Sequence, residues 1–144
     1  MIKYNFNDSL GFIIVKAGRL IENKLKNNFE KKGISVTPQQ WSILTVLWNE
    51  DGISQQKLAD SFSKDKTSIT RLLNNMEKNE LILRRQDNSD KRNKKVFLTV
   101  KSKLLKRESI AIAEKTLLDA LEGIDHKELK LTRNVLKKIN GNLV

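Results

Sequence analysis

Apolar side chains recur three or four residues apart along the first part of the chain. This spacing places apolar side chains on one face of a helix. Gly33 marks the end of the pattern, because glycine is favoured just past a helix C-terminus. The pattern predicts one long amphipathic helix, and its apolar positions are Leu10, Ile13, Ile14, Ala17, Leu20, Ile21, Leu25 and Phe29.

A second helix is predicted to begin after Thr37. Thr37 can cap this helix, Pro38 suits its first turn, and Gln40 stands three residues after the cap, as a capping box requires. Two tryptophans at helical spacing favour core packing over a ligand-binding platform. The predicted inward-facing residues are Trp41, Leu44, Leu47 and Trp48.

Two shorter helices follow, each with a capping residue in front. Ser54 precedes the segment QQKLADSF, and Asp65 precedes the segment KTSITRLLNNMEKN. Apolar residues at helical spacing define one inner face in each segment. These residues are Leu58, Ala59 and Phe62 in the third helix, and Ile69, Leu72, Leu73 and Met76 in the fourth.

The opposite face of the fourth helix carries side chains that are uncommon on solvent-exposed helices. Exposed faces usually hold strong helix formers such as Glu, Lys and Ala. Hydroxyl, guanidinium and amide groups are instead the ones that contact base edges and phosphates in a major groove. Two short helices with a brief connection fit a helix-turn-helix, and a polar face without function is the alternative. The candidate DNA-contacting residues are Thr67, Ser68, Thr70, Arg71, Asn74 and Asn75.

A strongly charged segment follows the fourth helix. The apolar runs 81–83 and 96–98 predict two paired strands, and residues 86–90 are rich in turn formers. Repulsion among cations at the tip of such a hairpin is tolerable in salt solution, and it gives way to attraction beside DNA phosphates. The cations are Arg84, Arg85, Lys91, Arg92, Lys94 and Lys95.

Net charge supports a polyanionic partner. The chain of 144 residues has a formal charge of +11, and residues 54–101 carry 12 of its 28 basic side chains but only 6 of its 17 acidic ones. Such an asymmetry favours nucleic acid binding through the middle of the chain. A lysine-rich solvated surface is the plainer alternative.

Other function classes lack the residues they need. The chain has no cysteine and one histidine, which argues against thiol chemistry and histidine metal clusters. Paired nucleophiles and bases, or a glycine-rich phosphate loop, are likewise missing, so we expect no enzyme, no cofactor and no metal site. Without a long apolar run or a signal-peptide pattern, the chain is expected in the cytoplasm and away from membranes.

Two more helices are predicted after the hairpin. Residues 101–121 contain one apolar series, Gly123 interrupts it, and Asp125 with Glu128 can cap a sixth helix. The expected fold is mainly α with a small β hairpin. Segments 8–32 and 101–141 hold more apolar surface than a domain of residues 37–99 needs, so we expect them to pair with the same helices of a second chain. The apolar series are Leu104, Leu105, Ile112, Leu117, Leu118 and Leu121, then Leu129, Val135, Leu136 and Ile139.

Residues 37–99 resemble the winged helix-turn-helix of the multiple antibiotic resistance regulator (MarR) family. The resemblance is carried by TPQQWSILTVL, SQQKLADSF, DKTSITRLLNNMEKN and DNSDKRNKKVFLT, in that order. The last segment contains the family's Asp-x-Arg sequence as Asp90-Lys91-Arg92, ahead of a strand that ends in Leu98-Thr99. Helices before and after complete the family's six-helix plan over nearly the whole chain.

The resemblance implies roles for single residues. Arg92 corresponds to the arginine of the wing (residues 81–98) that enters the minor groove, and Asp90 to the carboxylate that orients it. Thr67, Ser68 and Arg71 fall where the family's fourth helix contacts DNA, whereas Asn74 and Asn75 follow from the helical face alone.

Two positions depart from the family pattern. Glu80 and Ser102 stand where the family commonly has glycine. Asparagine tolerates a left-handed backbone, so Asn79 is expected to replace the first glycine one residue earlier.

The resemblance also implies a function. We expect a sequence-specific transcriptional regulator that binds an inverted repeat as a homodimer, most simply a repressor, with a small-molecule effector of unknown identity. Aromatic residues that could approach an effector cleft are also suited to core packing. The alternatives are an architectural DNA-binding protein and a winged domain used for protein interaction. The aromatic residues are Tyr4, Phe6, Phe12, Trp41 and Trp48.

Overall fold

The computed structural model describes residues 4–62, 65–90 and 92–144. Lys91, a predicted DNA contact, therefore lies outside the described residues. A short 3-10 helix at Phe6–Asp8 comes first. The described elements after it are α1 (Leu10–Lys31), α2 (Pro38–Asn49), β1 (Ile53–Ser54), α3 (Gln55–Ser61), α4 (Lys66–Lys78), β2 (Ile82–Gln86), β3 (Lys94–Leu98), α5 (Val100–Ala120) and α6 (His126–Leu143). This mainly helical fold with a small wing confirms the predicted fold class.

Helix α1 is confirmed as one long amphipathic helix. It ends where Gly33 adopts a φ of 73°, and the N–H of Ile34 bonds back to the carbonyl of Phe29 at 2.9 Å. Only Leu25 and Phe29 are buried along its whole length. The C-terminal part of α1 therefore packs on the core, while its N-terminal apolar face stays exposed.

Helix α2 begins with the predicted capping box. Thr37 Oγ1 accepts the Gln40 N–H at 3.1 Å, and Gln40 Oε1 accepts the Thr37 N–H at 3.0 Å. Leu44 and Leu47 are fully buried, as predicted. The two tryptophans are only partly buried against the edge of the core, because α5 covers them incompletely.

The caps and inner faces of α3 and α4 are also as predicted. Ser54 and Asp65 accept backbone N–H groups of the first turns at 3.1 and 2.7 Å. The hydrogen bond from the backbone N–H of Ser68 to the Asp65 carboxylate is charge-assisted, and it holds the pKa of Asp65 below its ordinary value. The inner faces bury Leu58, Ala59, Ile69, Leu73 and Met76, with Phe62 and Leu72 partly buried.

The predicted left-handed residue after α4 is wrong by one position. Asn79 has a φ of −85°, and Glu80 adopts the positive φ of 60°. The N–H groups of Glu80 and Leu81 bond to the carbonyls of Glu77 and Met76 at 3.0 and 2.9 Å. This pair of bonds is a Schellman motif, which requires the left-handed conformation at the residue after the cap.

The wing is an antiparallel hairpin of β2 and β3, with Ile82 opposite Leu98 and Gln86 opposite Lys94. A third strand, β1, was not predicted because it has only two residues. It pairs with β3 through Ile53 and Val96, and the sheet order is β1-β3-β2. A Cβ on Gly52 would stand 2.7 Å from the Phe97 ring, so glycine permits this close approach.

Helix α5 packs on the rest of the chain through small polar residues, which the sequence analysis did not predict. Its fully buried residues are Ser102, Ser109 and Thr116, spaced seven apart. Thr116 accepts a 2.8 Å hydrogen bond from Asn28 of α1, so small polar residues let these helices approach. Leu104, Leu117 and Leu118, which belong to the predicted apolar series of this helix, are exposed in the single chain.

Helix α6 starts with the predicted capping box of Asp125 and Glu128, but it buries no residue. Leu131, Val135 and Leu136 are exposed on it. None of the helices in the described part of the chain is long and apolar enough to cross a membrane.

Candidate nucleic-acid interface

The polar face of α4 and the wing form two sides of one groove. Thr70 and Asn74 line it from α4, while Arg84, Arg92 and Lys94 line it from the wing. The groove has a volume of about 300 Å³. Thr67, Ser68, Arg71 and Asn75 are exposed on the same helix, next to this groove or at its rim.

The first turn of α4 is tied to its cap. The Asp65 carboxylate accepts the backbone N–H of Ser68 at 2.7 Å. Lys66, which also lines the groove, places a cation at the start of the helix. Sequence analysis missed Lys66, although its position beside the cap was a usable signal.

Thr70 is only partly buried and contacts α3. Gln55 Nε2 donates to Thr70 Oγ1 at 3.0 Å, and Gln55 lines the groove together with Gln56 and Asn93. Sequence analysis missed these three residues. Gln55 and Gln56 open α3, and the tip of the wing supplies Asn93, so only the tertiary arrangement brings them to α4.

Arg84 was predicted to contact DNA, yet its guanidinium is engaged within the protein. Nε and Nη2 donate to the Glu77 carboxylate at 3.2 Å each, and Nη2 donates to Asn74 Oδ1 at 2.6 Å. The Arg84 side chain is only 10% exposed. Hydrogen bonding from Arg84 holds the pKa of Glu77 below its ordinary value. Arg84 therefore joins β2 to α4 and is largely shielded from solvent.

Asn75 is held from two other directions. Gln40 Nε2 of α2 and Asn79 Nδ2 donate to Asn75 Oδ1 at 3.3 and 2.7 Å. Gln40 is itself buried and fixed by the capping box of α2. The side chain of Asn75 is thus positioned by α2 and by the residue that ends α4.

The tip of the wing is ordered by its own carboxylates. Asp90 Oδ1 accepts the backbone N–H of Arg92 at 3.0 Å, so Asp90 contacts Arg92 through the main chain. Asp87 accepts the backbone N–H and hydroxyl of Ser89, and the backbone bond lowers the pKa of Asp87. Arg92, at the end of this turn, and Lys94, at the start of β3, are exposed.

A separate cleft of about 480 Å³ lies between α1, α2 and α5. Trp41 and Trp48 line it, and Trp48 Nε1 donates to the carbonyl of Ser102 at 3.1 Å. The Trp41 Nε1–H is buried without a partner among the described residues. Tyr4 and Phe6 instead contact each other edge to face at 5.4 Å. The cleft is also lined by Ile21, Leu25, Thr45, Asn49, Lys106, Ile110, Ala113, Glu114, Thr116 and Leu117.

Comparison with known proteins agrees with this geometry. The MarR family model matches residues 36–94. The chain is 26% identical over 137 residues to the HTH-type transcriptional regulator MgrA of Staphylococcus aureus. The match covers 95% of this chain and 91% of MgrA. The chain is also 30% identical over 121 residues to the HTH-type transcriptional regulator YybA of Bacillus subtilis, with 81% and 78% of the two chains covered.

A solved structure agrees over an even larger share of the chain. The MarR family transcriptional regulator from Listeria monocytogenes, crystallised in complex with 26mer DNA, superimposes with a TM-score of 0.79 and 28% identity. The match covers 99% of this chain and 90% of that one. The chain therefore belongs to the MarR family of DNA-binding transcriptional regulators.

Proposed function

We propose that this chain represses transcription by binding an inverted DNA repeat as a homodimer. The observation that carries the proposal is the groove in which the polar face of α4 meets the cationic wing. A helix of this kind fits the major groove, while a basic hairpin beside it reaches the flanking minor groove. Repression would follow from occlusion of the promoter.

The proposal assigns DNA contacts to two elements within residues 37–99. From α4 these are Thr67, Ser68, Thr70, Arg71, Asn74 and Asn75; from the wing they are Asp90, Lys91, Arg92 and Lys94, with Asp90 shaping the turn. Arg84, held by Glu77 and Asn74, positions the wing and adds positive charge near the phosphates.

Unburied apolar surface supports dimerisation through residues 8–32 and 101–141. Side chains such as Leu10, Val15, Leu20, Leu104 and Leu131 are more than half exposed. Large exposed apolar patches mark interaction sites in soluble proteins, and many exposed apolar side chains on α1, α5 and α6 fit such a site. Equilibrium sedimentation at micromolar concentration should give about twice the chain mass of 16.6 kDa. A mass of one chain would overturn the dimer.

Selection of bound fragments from a random duplex library tests sequence specificity. The selected duplex should be an inverted repeat, bound at least about 10³ times more tightly than a scrambled duplex near 150 mM salt. Equal affinity for both duplexes would replace the regulator with an architectural DNA-binding protein.

The cleft between α1, α2 and α5 is the proposed effector site. Its tryptophans and aliphatic side chains suit a flat aromatic compound, and Lys106 could bind a carboxylate on it. Thermal-shift measurement with a set of aromatic carboxylates should find compounds that raise the melting temperature and weaken DNA binding. The same compounds should lose their effect on a Lys106→Met variant. If stabilising compounds leave DNA affinity unchanged, the cleft is not regulatory.

A further inference from the structure

We propose that Asn74 and Asn75 are locked as hydrogen-bond donors, so that α4 reads the acceptor atom N7 of purines. This inference rests on the proposed entry of α4 into the major groove. It concerns which atoms of the two amides face the DNA. An asparagine side chain has one accepting and one donating prong, so its orientation decides what it can recognise.

The orientation of Asn74 is fixed by Arg84. A guanidinium has five N–H donors and no acceptor, so the atom that it contacts at 2.6 Å must be the amide oxygen. This argument removes the usual ambiguity between amide oxygen and nitrogen. Two bonds to Glu77, from Nε and from the same Nη2, hold the guanidinium in place. The carbonyl of Asn74 therefore points towards the protein.

The orientation of Asn75 is fixed by a longer series of bonds that begins at a backbone donor. The Thr37 N–H can only donate, so the Gln40 atom 3.0 Å away is Oε1. The remaining amide prong of Gln40 is then Nε2, which donates to Asn75 Oδ1 at 3.3 Å. Asn79 donates to the same oxygen at 2.7 Å. The carbonyl of Asn75 is therefore also turned inwards.

The amide nitrogens remain on the exposed side of α4. Both asparagines are exposed, and neither Nδ2 has a hydrogen-bond partner among the described residues. Arg71 lies on the same surface and is exposed as well. Arg71 can only donate. The central part of this face consequently presents donors at three neighbouring side chains.

A donor surface selects among base edges. The N7 atoms of guanine and adenine, O6 of guanine and O4 of thymine are acceptors in the major groove, whereas N6 of adenine and N4 of cytosine are donors. Bidentate recognition of adenine by asparagine needs the carbonyl as well as the amide nitrogen. Because the carbonyl of Asn74 is held by a charged donor, we expect Asn74 to contact acceptors such as purine N7 and not the N6 amino group of adenine.

The test uses the full-length protein and its selected duplex. In one series of duplexes, each adenine or guanine is replaced singly by its 7-deaza analogue, which lacks the N7 acceptor. In a second series, each adenine is replaced singly by the unsubstituted purine base, which lacks the N6 amino group. At one or more positions the 7-deaza change should weaken wild-type binding about tenfold. Asn74→Ala should reduce the loss at its position to less than about twofold, and Asn75→Ala should do the same at a neighbouring position. Removal of the N6 amino group should change the affinity of the wild-type protein and of the two alanine variants by the same factor.

Arg84→Met tests the locking itself, since it keeps the side-chain length and removes the donors. In Arg84→Met the carbonyl of Asn74 is free to accept the N6 amino group of adenine. Removal of that amino group should therefore weaken DNA binding by this variant. Arg85→Met is the matched control, because Arg85 lies on the same strand with its guanidinium 5.7 Å from the Phe97 ring centroid. It removes the same charge and should leave the pattern unchanged.

Two results would overturn the inference. One is coupling of Asn74 or Asn75 to the N6 amino group in the wild-type protein, which would place a carbonyl against the DNA. The other is a specifically bound duplex in which neither asparagine couples to any purine N7. Failure of the proposed function looks different, because the wild-type protein would then bind selected and scrambled duplexes equally, and the inference would fall with it.

Discussion

Glu80 has the backbone conformation of a glycine without being one. Its φ of 60° lies in the left-handed region, which costs an ordinary side chain about 1 to 2 kcal/mol. The conformation is imposed by the bonds that end α4 and by Leu81, which is buried directly after it. Asn79, one residue earlier, stays in an ordinary conformation and uses its side chain to hold Asn75.

Glu80→Gly should therefore stabilise the protein by about 1 kcal/mol, because glycine adopts this φ without steric strain. Urea denaturation measures the change. Asn79→Gly is the matched control, and it should destabilise, since it removes the 2.7 Å bond to Asn75 and gains nothing at a φ of −85°. The reverse order of stabilities would contradict this account of the turn.

Arg71 and Lys94 should differ in what they contribute to DNA binding. Arg71→Ala is expected to cost about 1 to 3 kcal/mol on the selected duplex and to reduce discrimination among duplexes, as loss of a base contact does. Lys94→Ala should weaken binding to all duplexes about equally, as loss of a phosphate contact does. Fluorescence anisotropy on selected and scrambled duplexes measures both. Unchanged discrimination in Arg71→Ala would remove the assigned role.

At the scale of elements, single side chains fix how the wing sits on the helices. Arg84 of β2 bonds to Glu77 and Asn74 of α4, so the wing and α4 are linked outside the hydrophobic core. Ser102 of α5 donates to the carbonyl of Leu81 where the wing begins, and its own carbonyl accepts from Trp48 of α2. Ser102 thus makes a contact that a glycine at this position could not make.

The link between Glu77 and Arg84 should depend on pH. The pKa of Glu77 is lowered from its ordinary value of 4.5, so its contribution to stability is present above pH 4.5 and is lost as pH falls through the lower, folded value. The free energy of unfolding of wild type minus that of Glu77→Gln should therefore be constant near neutral pH and should shrink below pH 4.5. A difference that grows towards acid pH would contradict the pairing.

Ser102→Ala should destabilise the protein by about 1 kcal/mol, because it removes a buried hydrogen bond between α5 and the start of the wing. Ser109→Ala is the matched control. Ser109 is equally buried, but it bonds only to carbonyls of its own helix, so its loss should cost much less. Urea denaturation of both variants separates the two cases, and equal costs would mean that the contact with Leu81 adds nothing.

Sequence patterns predicted the elements well where the signal was local. Capping residues and apolar spacing predicted the helices α1 to α6 and the paired strands β2 and β3. The strand β1, the engagement of Arg84 and the buried serines of α5 were not predicted. Each depends on contacts between residues that are distant in sequence, such as Ile53 with Val96. The grouping of α4 with the wing followed from the family resemblance, whereas the orientation of Asn74 and Asn75 required atomic contacts.

At the scale of the whole molecule, two surfaces remain without a partner in one chain. One is the apolar surface of α1, α5 and α6, which includes Leu20, Leu104 and Leu118. The other is the cationic surface around α4 and the wing, which lies within residues 54–101, where 12 basic and 6 acidic side chains contribute +6 of the net charge of +11. A dimer formed through the first surface would carry two copies of the second, and its two-fold symmetry would demand a symmetric DNA site.

Insertion of five base pairs between the two halves of the selected duplex tests this arrangement most directly. Five base pairs turn one half-site by about half a helical turn, so a two-fold dimer could no longer reach both halves on one face of the DNA. We predict that affinity falls at least about 100-fold, and that insertion of ten base pairs restores the facing of the half-sites. Affinity unaffected by the five-base-pair insertion would contradict recognition of an inverted repeat by a dimer of this chain.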